Sequence, residues 1–144
     1  MARRPQALAA ITDPGTRELV SLAFDACLKA YAPSSKFHVG AAVRTAKGLY
    51  VGCNVENGSY GLTSCAERNA VFTAVGVEGG KIEIEAVAVY ARSPGRKVKT
   101  ASPCGACRQV LAEFGRDAVV TFLEDGKFCS MTVDELLPEA FELY

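Results

Sequence analysis

Apolar side chains at Leu19, Leu22, Ala23, Ala26, Cys27 and Ala30 recur three and four residues apart, the spacing that lines one face of an α-helix. Asp13 and Pro14 suit the N-cap and first turn of that stretch, and Pro33 lies beyond its end, so one amphipathic helix is predicted between them. The period then changes. Residues 39–44 and 49–54 flank Ala46-Lys47-Gly48, a short turn whose glycine is expected at positive φ, and the three pieces read as a β-hairpin. A glycine-bearing loop over 57–63 follows, and residues 64–75 return to helical spacing. Residues 83–91 alternate as a strand, 92–99 form a polar loop, and Pro103 introduces a further helix over 104–114. Residues 118–123 are a β-run, Glu124-Asp125-Gly126 a turn and 127–131 a short strand. Thr132 and Glu135 then stand at the spacing of a capping box before a last helix.

This order sets the architecture. The late strand-helix-strand unit calls for parallel pairing and the opening hairpin for antiparallel pairing. A mixed five-stranded sheet with helices on both faces satisfies both, so the expected class is α/β, a three-layer αβα sandwich. A single domain over residues 1–144 is expected, with 1–13 as a flexible N-terminal extension; at 49% hydrophobic residues the chain can bury a core without cross-links.

Composition narrows the function. The formal net charge is zero and the only basic clusters are Arg3-Arg4 and Arg96-Lys97 with Lys99, too short for the electropositive stripe a nucleic-acid binder needs. The expected partner is a small neutral molecule. No run approaches the roughly 20 apolar residues that span a bilayer, and residues 1–11 lack the apolar segment of a secretory signal, so a cytoplasmic location is expected. In a reducing compartment six cysteines suggest metal or redox chemistry before disulfides. Cys27, Cys53 and Cys129 lie in apolar surroundings and read as small buried hydrophobes.

The remaining cysteines carry the candidate chemistry, in Cys65-Ala66-Glu67 and Pro103-Cys104-Gly105-Ala106-Cys107. Three thiolates hold a zinc ion with its fourth position open to water, and zinc brings the pKa of that water towards neutrality. Glu67, two residues from the first thiol, is placed to move protons there. Both cysteine groups fall at predicted helix starts, where the macrodipole favours thiolate. Three other readings compete: a structural site with Cys53 as fourth thiolate, a redox pair at Cys104 and Cys107, and core cysteines without metal. His38, the one histidine, follows Phe37 in a strand and points to the opposite face, so it reads as a non-ligand.

A ligand-x-Glu followed by Pro-Cys-x-x-Cys is a signature of zinc deaminases. Beyond it, Tyr31-Ala-Pro-Ser-Ser-Lys-Phe-His-Val-Gly-Ala-Ala42, Gly52-Cys-Asn-Val-Glu-Asn-Gly-Ser-Tyr60, Thr63-Ser-Cys-Ala-Glu-Arg68 and Ser102-Pro-Cys-Gly-Ala-Cys-Arg-Gln-Val110 stand in order along the chain. With these four segments the chain resembles the small, homotetrameric, zinc-dependent cytidine deaminases over about residues 31–141. The resemblance implies hydrolytic deamination of cytidine and 2′-deoxycytidine in pyrimidine salvage, with ammonia released and no nucleic-acid or membrane partner. It implies one zinc per subunit on Cys65, Cys104 and Cys107 with a metal-bound water, and Glu67 as the general acid and base that carries a proton to N3 while C4 is attacked. Arg68 and Gln109 are implied to hydrogen-bond the thiolates. Phe37 is implied as the wall beside the ring, Asn54 and Glu56 as the pair on the ribose 3′-hydroxyl, the Ala66 N–H as a contact to O2 and the Ser102 carbonyl as a contact to the exocyclic amine. Phe141 is implied to close its own or a neighbouring site. Apart from the resemblance, an amide and a carboxylate at next-but-one positions of an extended chain share a face and supply donor and acceptor together.

The chain departs from the family pattern at Ser34, where many relatives carry an aromatic residue, and residues 1–13 have no counterpart. Three other functions remain in competition: deamination of a cytosine-bearing antibiotic such as blasticidin S, editing of a polynucleotide, and a zinc-stabilised binding module with no activity. Asn54, Glu56 and Phe37 favour an ordinary nucleoside over the first, and neutral charge opposes the second.

Overall fold

In the computed structural model, which describes residues 4–144, Asp13 closes the start of the first helix. Its carboxylate accepts from the Thr16 backbone N–H at 2.8 Å, Pro14 occupies the first turn, and α1 runs over Pro14–Cys27. The hairpin follows as β1 (His38–Thr45) and β2 (Leu49–Cys53), then α2 (Ala66–Glu78), β3 (Ile84–Arg92), α3 (Gly105–Phe114), β4 (Val119–Glu124), β5 (Lys127–Thr132) and α4 (Val133–Leu136). The strands lie in the order β2-β1-β3-β4-β5. Of the four strand ladders among the described residues, that of β3 and β4, joined through α3, is parallel and the other three are antiparallel.

Alternation along the strands separates two cores. Ala42 pairs with Ala88, and both face α1 through Leu19, Val20 and Ala23. One residue either side, Ala41 pairs with Val89 and Val43 with Val87, and these face Ala66, Ala70, Val71 and Ala74 of α2 and Leu111 of α3. One face thus carries α1 and the other α2 and α3, which is the expected αβα sandwich with its mixed five-stranded sheet.

Local chemistry explains where the structure departs from expectation. Gly48 is not at positive φ; the β1–β2 turn is held by Thr45, whose hydroxyl accepts from the N–H groups of Lys47 and Gly48, each at 3.1 Å. The left-handed conformations fall in the β4–β5 turn instead, at Asp125 (φ 46°) and Gly126 (φ 81°), the pair that a two-residue hairpin of matching twist requires. Residues 1–3 of the expected N-terminal extension, with Arg3 of the first basic pair, lie outside the described residues. The rest of it is partly packed: Gln6–Ala10 form a 3-10 turn whose Leu8 is buried in the α1 core, because an apolar side chain there covers the end of that face. Of the three cysteines expected in the core, Cys27 is fully buried and Cys53 and Cys129 are half-buried.

The helices sit close on the sheet. A β-carbon added at Gly40 would meet the backbone of Ala23 and Cys27 in α1. One added at Gly52 would meet the backbone of α2, with the Ala66 carbonyl oxygen at 2.6 Å. Gly52 fixes the depth at which α2 rests on the hairpin, and the first turn of α2 carries the residues considered next.

Candidate metal centre and its cavity

The N-termini of α2 and α3 bring the three cysteines together. Cys65 is the N-cap of α2 and Cys104 the N-cap of α3, while Cys107 sits one turn into α3 and is fully buried. The sulfurs of Cys65 and Cys104 are 3.9 Å apart, those of Cys104 and Cys107 are 3.6 Å apart, and all three lie within 4.8 Å of one another. Two sets of bonds hold this register. Ser64 exchanges backbone hydrogen bonds with Val55 at 3.0 Å, and Asn69 donates to the Cys53 carbonyl at 2.8 Å, joining the end of β2 to the start of α2. Ala101 donates to Leu123 at 2.7 Å, tying the approach to α3 onto β4.

The electrostatics favour a cation among the sulfurs. Hydrogen bonding from the Cys107 thiol, helped by the Arg68 guanidinium, holds the Cys65 thiol down at about 5. Cys107 is driven upward for the complementary reason, keeping its proton to serve the Cys65 thiolate and being buried as well. Arg68 donates through Nη2 to the Cys65 sulfur at 3.4 Å. Three soft donors within 4.8 Å of one another, one of them backed by a guanidinium, fit zinc in a three-thiolate site. Cys53 is not among them, and His38 turns its Nδ1 to the Lys36 carbonyl at 3.1 Å.

Beside the sulfurs lies a cavity of about 190 Å³ lined by Phe37, Val39, Asn54, Thr63, Cys65, Ala66, Glu67, Thr100, Ala101, Ser102 and Cys104. Glu67 is 5% exposed. Burial, reinforced by the negative charge of Cys65, pushes its carboxyl up to about 7 against the pull of its own backbone N–H. Of the residues implied to touch substrate, Phe37, Asn54, Ala66 and Ser102 line this cavity, and Val39, Thr63, Thr100 and Ala101 join them without having been singled out in the sequence. Their signal was adjacency: Thr63 opens the Thr-Ser-Cys segment, and Thr100 and Ala101 precede Ser102.

The family model described as the cytidine and deoxycytidylate deaminase zinc-binding region matches residues 15–123. The chain belongs to this family. It is an enzyme of the cytidine deaminase class, a hydrolase. A cytidine deaminase of Sporosarcina psychrophila is 47% identical over 78% of this chain and 81% of its own length. The crystal structure of the cytidine deaminase from Burkholderia pseudomallei is 43% identical with a TM-score of 0.75, covering 86% of this chain and 97% of that one. More distant is a blasticidin-S deaminase of Bacillus cereus, 34% identical over 84% of this chain and 88% of its own length.

Three residues expected at this cytidine deaminase site lie elsewhere in the single chain. Glu56 accepts from the backbone N–H groups of Ser34 (2.8 Å) and Ser35 (3.2 Å) and from the Ser35 hydroxyl, bonds that hold its carboxyl below the usual range. It borders a neighbouring hollow of about 360 Å³ with Ser34, Ser35, Tyr60 and Thr63; Thr63 lines both spaces. Asn54 is buried, its Oδ1 accepting from Val39 N–H at 2.8 Å and its Nδ2 donating to the Phe37 carbonyl at 2.9 Å, so the amide ties down the backbone on both sides of His38. Gln109 does not bond the sulfurs: it donates to the Phe141 carbonyl at 3.1 Å, because two residues of helix carry it about 200° round from Cys107. Phe141 is 71% exposed and does not line this cavity. Its backbone is instead held on the outer side of α3 by Gln109, and the Arg116–Glu142 ion pair holds the next residue.

Proposed function

We propose that this enzyme hydrolyses cytidine and 2′-deoxycytidine to the corresponding uridines and ammonia, in pyrimidine salvage, as a homotetramer with one zinc per subunit and a water on the metal. The observation that carries the reading is Glu67: a buried carboxyl, its pKa raised to about 7, that lines a cavity of about 190 Å³ beside the thiol cluster.

Cys65, Cys104 and Cys107 would hold the zinc, which supplies the Lewis acidity that makes water nucleophilic near pH 7. Glu67 does the proton work. It takes a proton from the attacking water, delivers it to ring N3 as C4 is attacked, and serves again when the exocyclic nitrogen leaves as ammonia. A carboxyl whose pKa lies near the working pH can do both, since neither form is scarce.

The other residues orient the ring. Phe37 walls one side, the unpaired N–H of Ala66 in the first turn of α2 meets O2, and the Ser102 carbonyl accepts from the amine. With Asn54 committed to the backbone, its second amide hydrogen remains for the sugar, and Glu56 reaches the 3′-hydroxyl from the hollow beyond Thr63. Phe141, exposed on its own chain, closes the site of a neighbouring subunit. Zero net charge keeps the substrate a free nucleoside and not a polynucleotide. Among the described residues no helix is long and apolar enough to cross a membrane, and a cytoplasmic location accords with the six free thiols.

Conversion of cytidine followed by ultraviolet absorbance tests the chemistry, with Glu67→Gln beside the wild type and zinc measured in both. The variant is expected to keep its metal and to lose about 10² to 10⁴ in turnover. A zinc-loaded wild type that converts neither nucleoside would sink the proposal, and marked preference for blasticidin S would redirect it. Light scattering is expected to give four times the 15.2 kDa of one chain.

A further inference from the structure

Arg108 reaches back along its own helix to the segment that leads into it. It follows Cys104 by four residues, so the two lie on one face of α3, and a long helical side chain points towards the helix N-terminus. Its guanidinium makes three bonds there. Nε donates to the Pro103 carbonyl at 2.7 Å, Nη2 to the Ser102 hydroxyl at 2.7 Å, and Nη1 to the Leu136 carbonyl at the end of α4 at 2.6 Å. All three partners are neutral oxygens, and among the described residues no carboxylate pairs with Arg108. A cation so placed contributes its planar fork of donors more than its charge.

We propose that Arg108 is a positioning residue for the deamination: it sets the Ser102–Pro103–Cys104 segment, and through it one sulfur of the metal site and the carbonyl that meets the substrate amine. The inference rests on the reading of Cys104 as a zinc ligand and Ser102 as a substrate contact. Packing holds the Pro103 ring, which is fully buried, but the segment is short of other hydrogen bonds. Pro103 has no N–H to give, Cys104 has no capping bond from its own side chain, and the Ser102 N–H is taken up locally by the Thr100 hydroxyl at 3.0 Å. Beyond Ala101, bound to β4, the clamp from Arg108 holds the chain until the first helical bond, Arg108 N–H to the Cys104 carbonyl at 2.9 Å. The Leu136 bond extends the clamp to α4, so that the last helix buttresses the site without touching it.

Arg108→Lys and Arg108→Gln, compared with the wild type as full chains, separate geometry from charge and from folding. Each is assayed on cytidine for kcat and KM, loaded with cobalt for its thiolate absorption bands, challenged with a chelator, and unfolded in urea. Lysine keeps the charge and loses the fork. It is expected to fold with a urea midpoint near the wild type, to lose 10- to 100-fold in kcat with KM changed less than about threefold, and to show shifted cobalt bands and faster metal loss. Glutamine is expected to lose as much, because charge is not what the clamp uses. Unchanged kcat and cobalt bands in the lysine variant would overturn the proposal. So would failure of both variants to fold, which would make Arg108 a residue of the fold and not of the site. A wild type inactive on cytidine would refute the functional reading instead, leaving the cobalt bands to decide on the clamp.

Discussion

Helices α1 and α4 begin on side chains that close them, whereas α2 and α3 begin on cysteines that do not. Asp13 accepts from the Thr16 N–H, and Thr132 and Glu135 form a reciprocal box in which each side chain meets the other's backbone. Cys65 and Cys104 make no such bond. Sulfur is a weak acceptor, and a capping oxygen in its place stabilises a helix by about 1 kcal/mol. The two helices that forgo this are the two whose first turns face the cavity. Their N-cap side chains are thereby free to bind a metal, and their N–H groups are free to meet a ligand. Stability and chemistry ask opposite things of the same helical position, and this enzyme answers one way in α1 and α4 and the other way in α2 and α3.

The comparison breaks most completely if a good cap is built into the site. Cys104→Asn gives α3 the oxygen it lacks and removes one sulfur, so zinc measured on the purified variant is expected to drop well below one per chain and cytidine turnover to disappear, while helix α3 of the metal-free protein gains about 1 kcal/mol. Retained metal and turnover would show that Cys104 is no ligand. The reverse change, Thr132→Ala, strips the box from α4 and is expected to cost about 1 kcal/mol, read as a fall of a few degrees in Tm, with cytidine turnover unchanged. A fall in turnover would show that the cap of α4 acts on the site through the Leu136 bond to Arg108.

Asp13 sharpens the same contrast through pH. The Thr16 N–H, with its hydroxyl, holds the folded carboxyl below the ordinary aspartate value. Asp13 therefore contributes stability above the unfolded pKa, and that contribution is lost as pH falls through the lowered folded value. Asn caps equally well and does not titrate. Urea midpoints measured from pH 7 down to about 3 should decline less for Asp13→Asn than for the wild type; parallel curves would show that the cap draws nothing from the charge.

What could be read in the sequence divides along similar lines. Periodicity found the strands and helices because burial on one face leaves a repeat in the letters, as the Val43 and Val87 pair and the Leu19 and Ala23 stripe show. The turn at Gly48 needs no positive φ because a hydroxyl, that of Thr45, holds it in place of backbone freedom. Within the site, Cys65 with Glu67 and Cys104 with Cys107 were legible because one helical turn fixes their relative geometry. Gln109 and Glu56 were less so. Their side chains are aimed by partners distant in sequence, Phe141 for one and Ser34 and Ser35 for the other. Arg108 was invisible for a related reason: two of its three partners are backbone carbonyls, which every residue has and no letter records.

The missing β-carbon at Gly52 also shapes how this sequence can vary. On the same strand the neighbouring Val51 is 42% exposed, so a change of side chain there meets no α2 backbone. At position 52 the smallest available step, one methyl group, already collides with the α2 backbone beside Ala66 and Ala70, so there is no graded path from glycine to anything larger. Drift must therefore pass around this point, and two kinds of position lie one residue apart: a side chain half open to solvent on this chain, and a glycine with no room for even a methyl group.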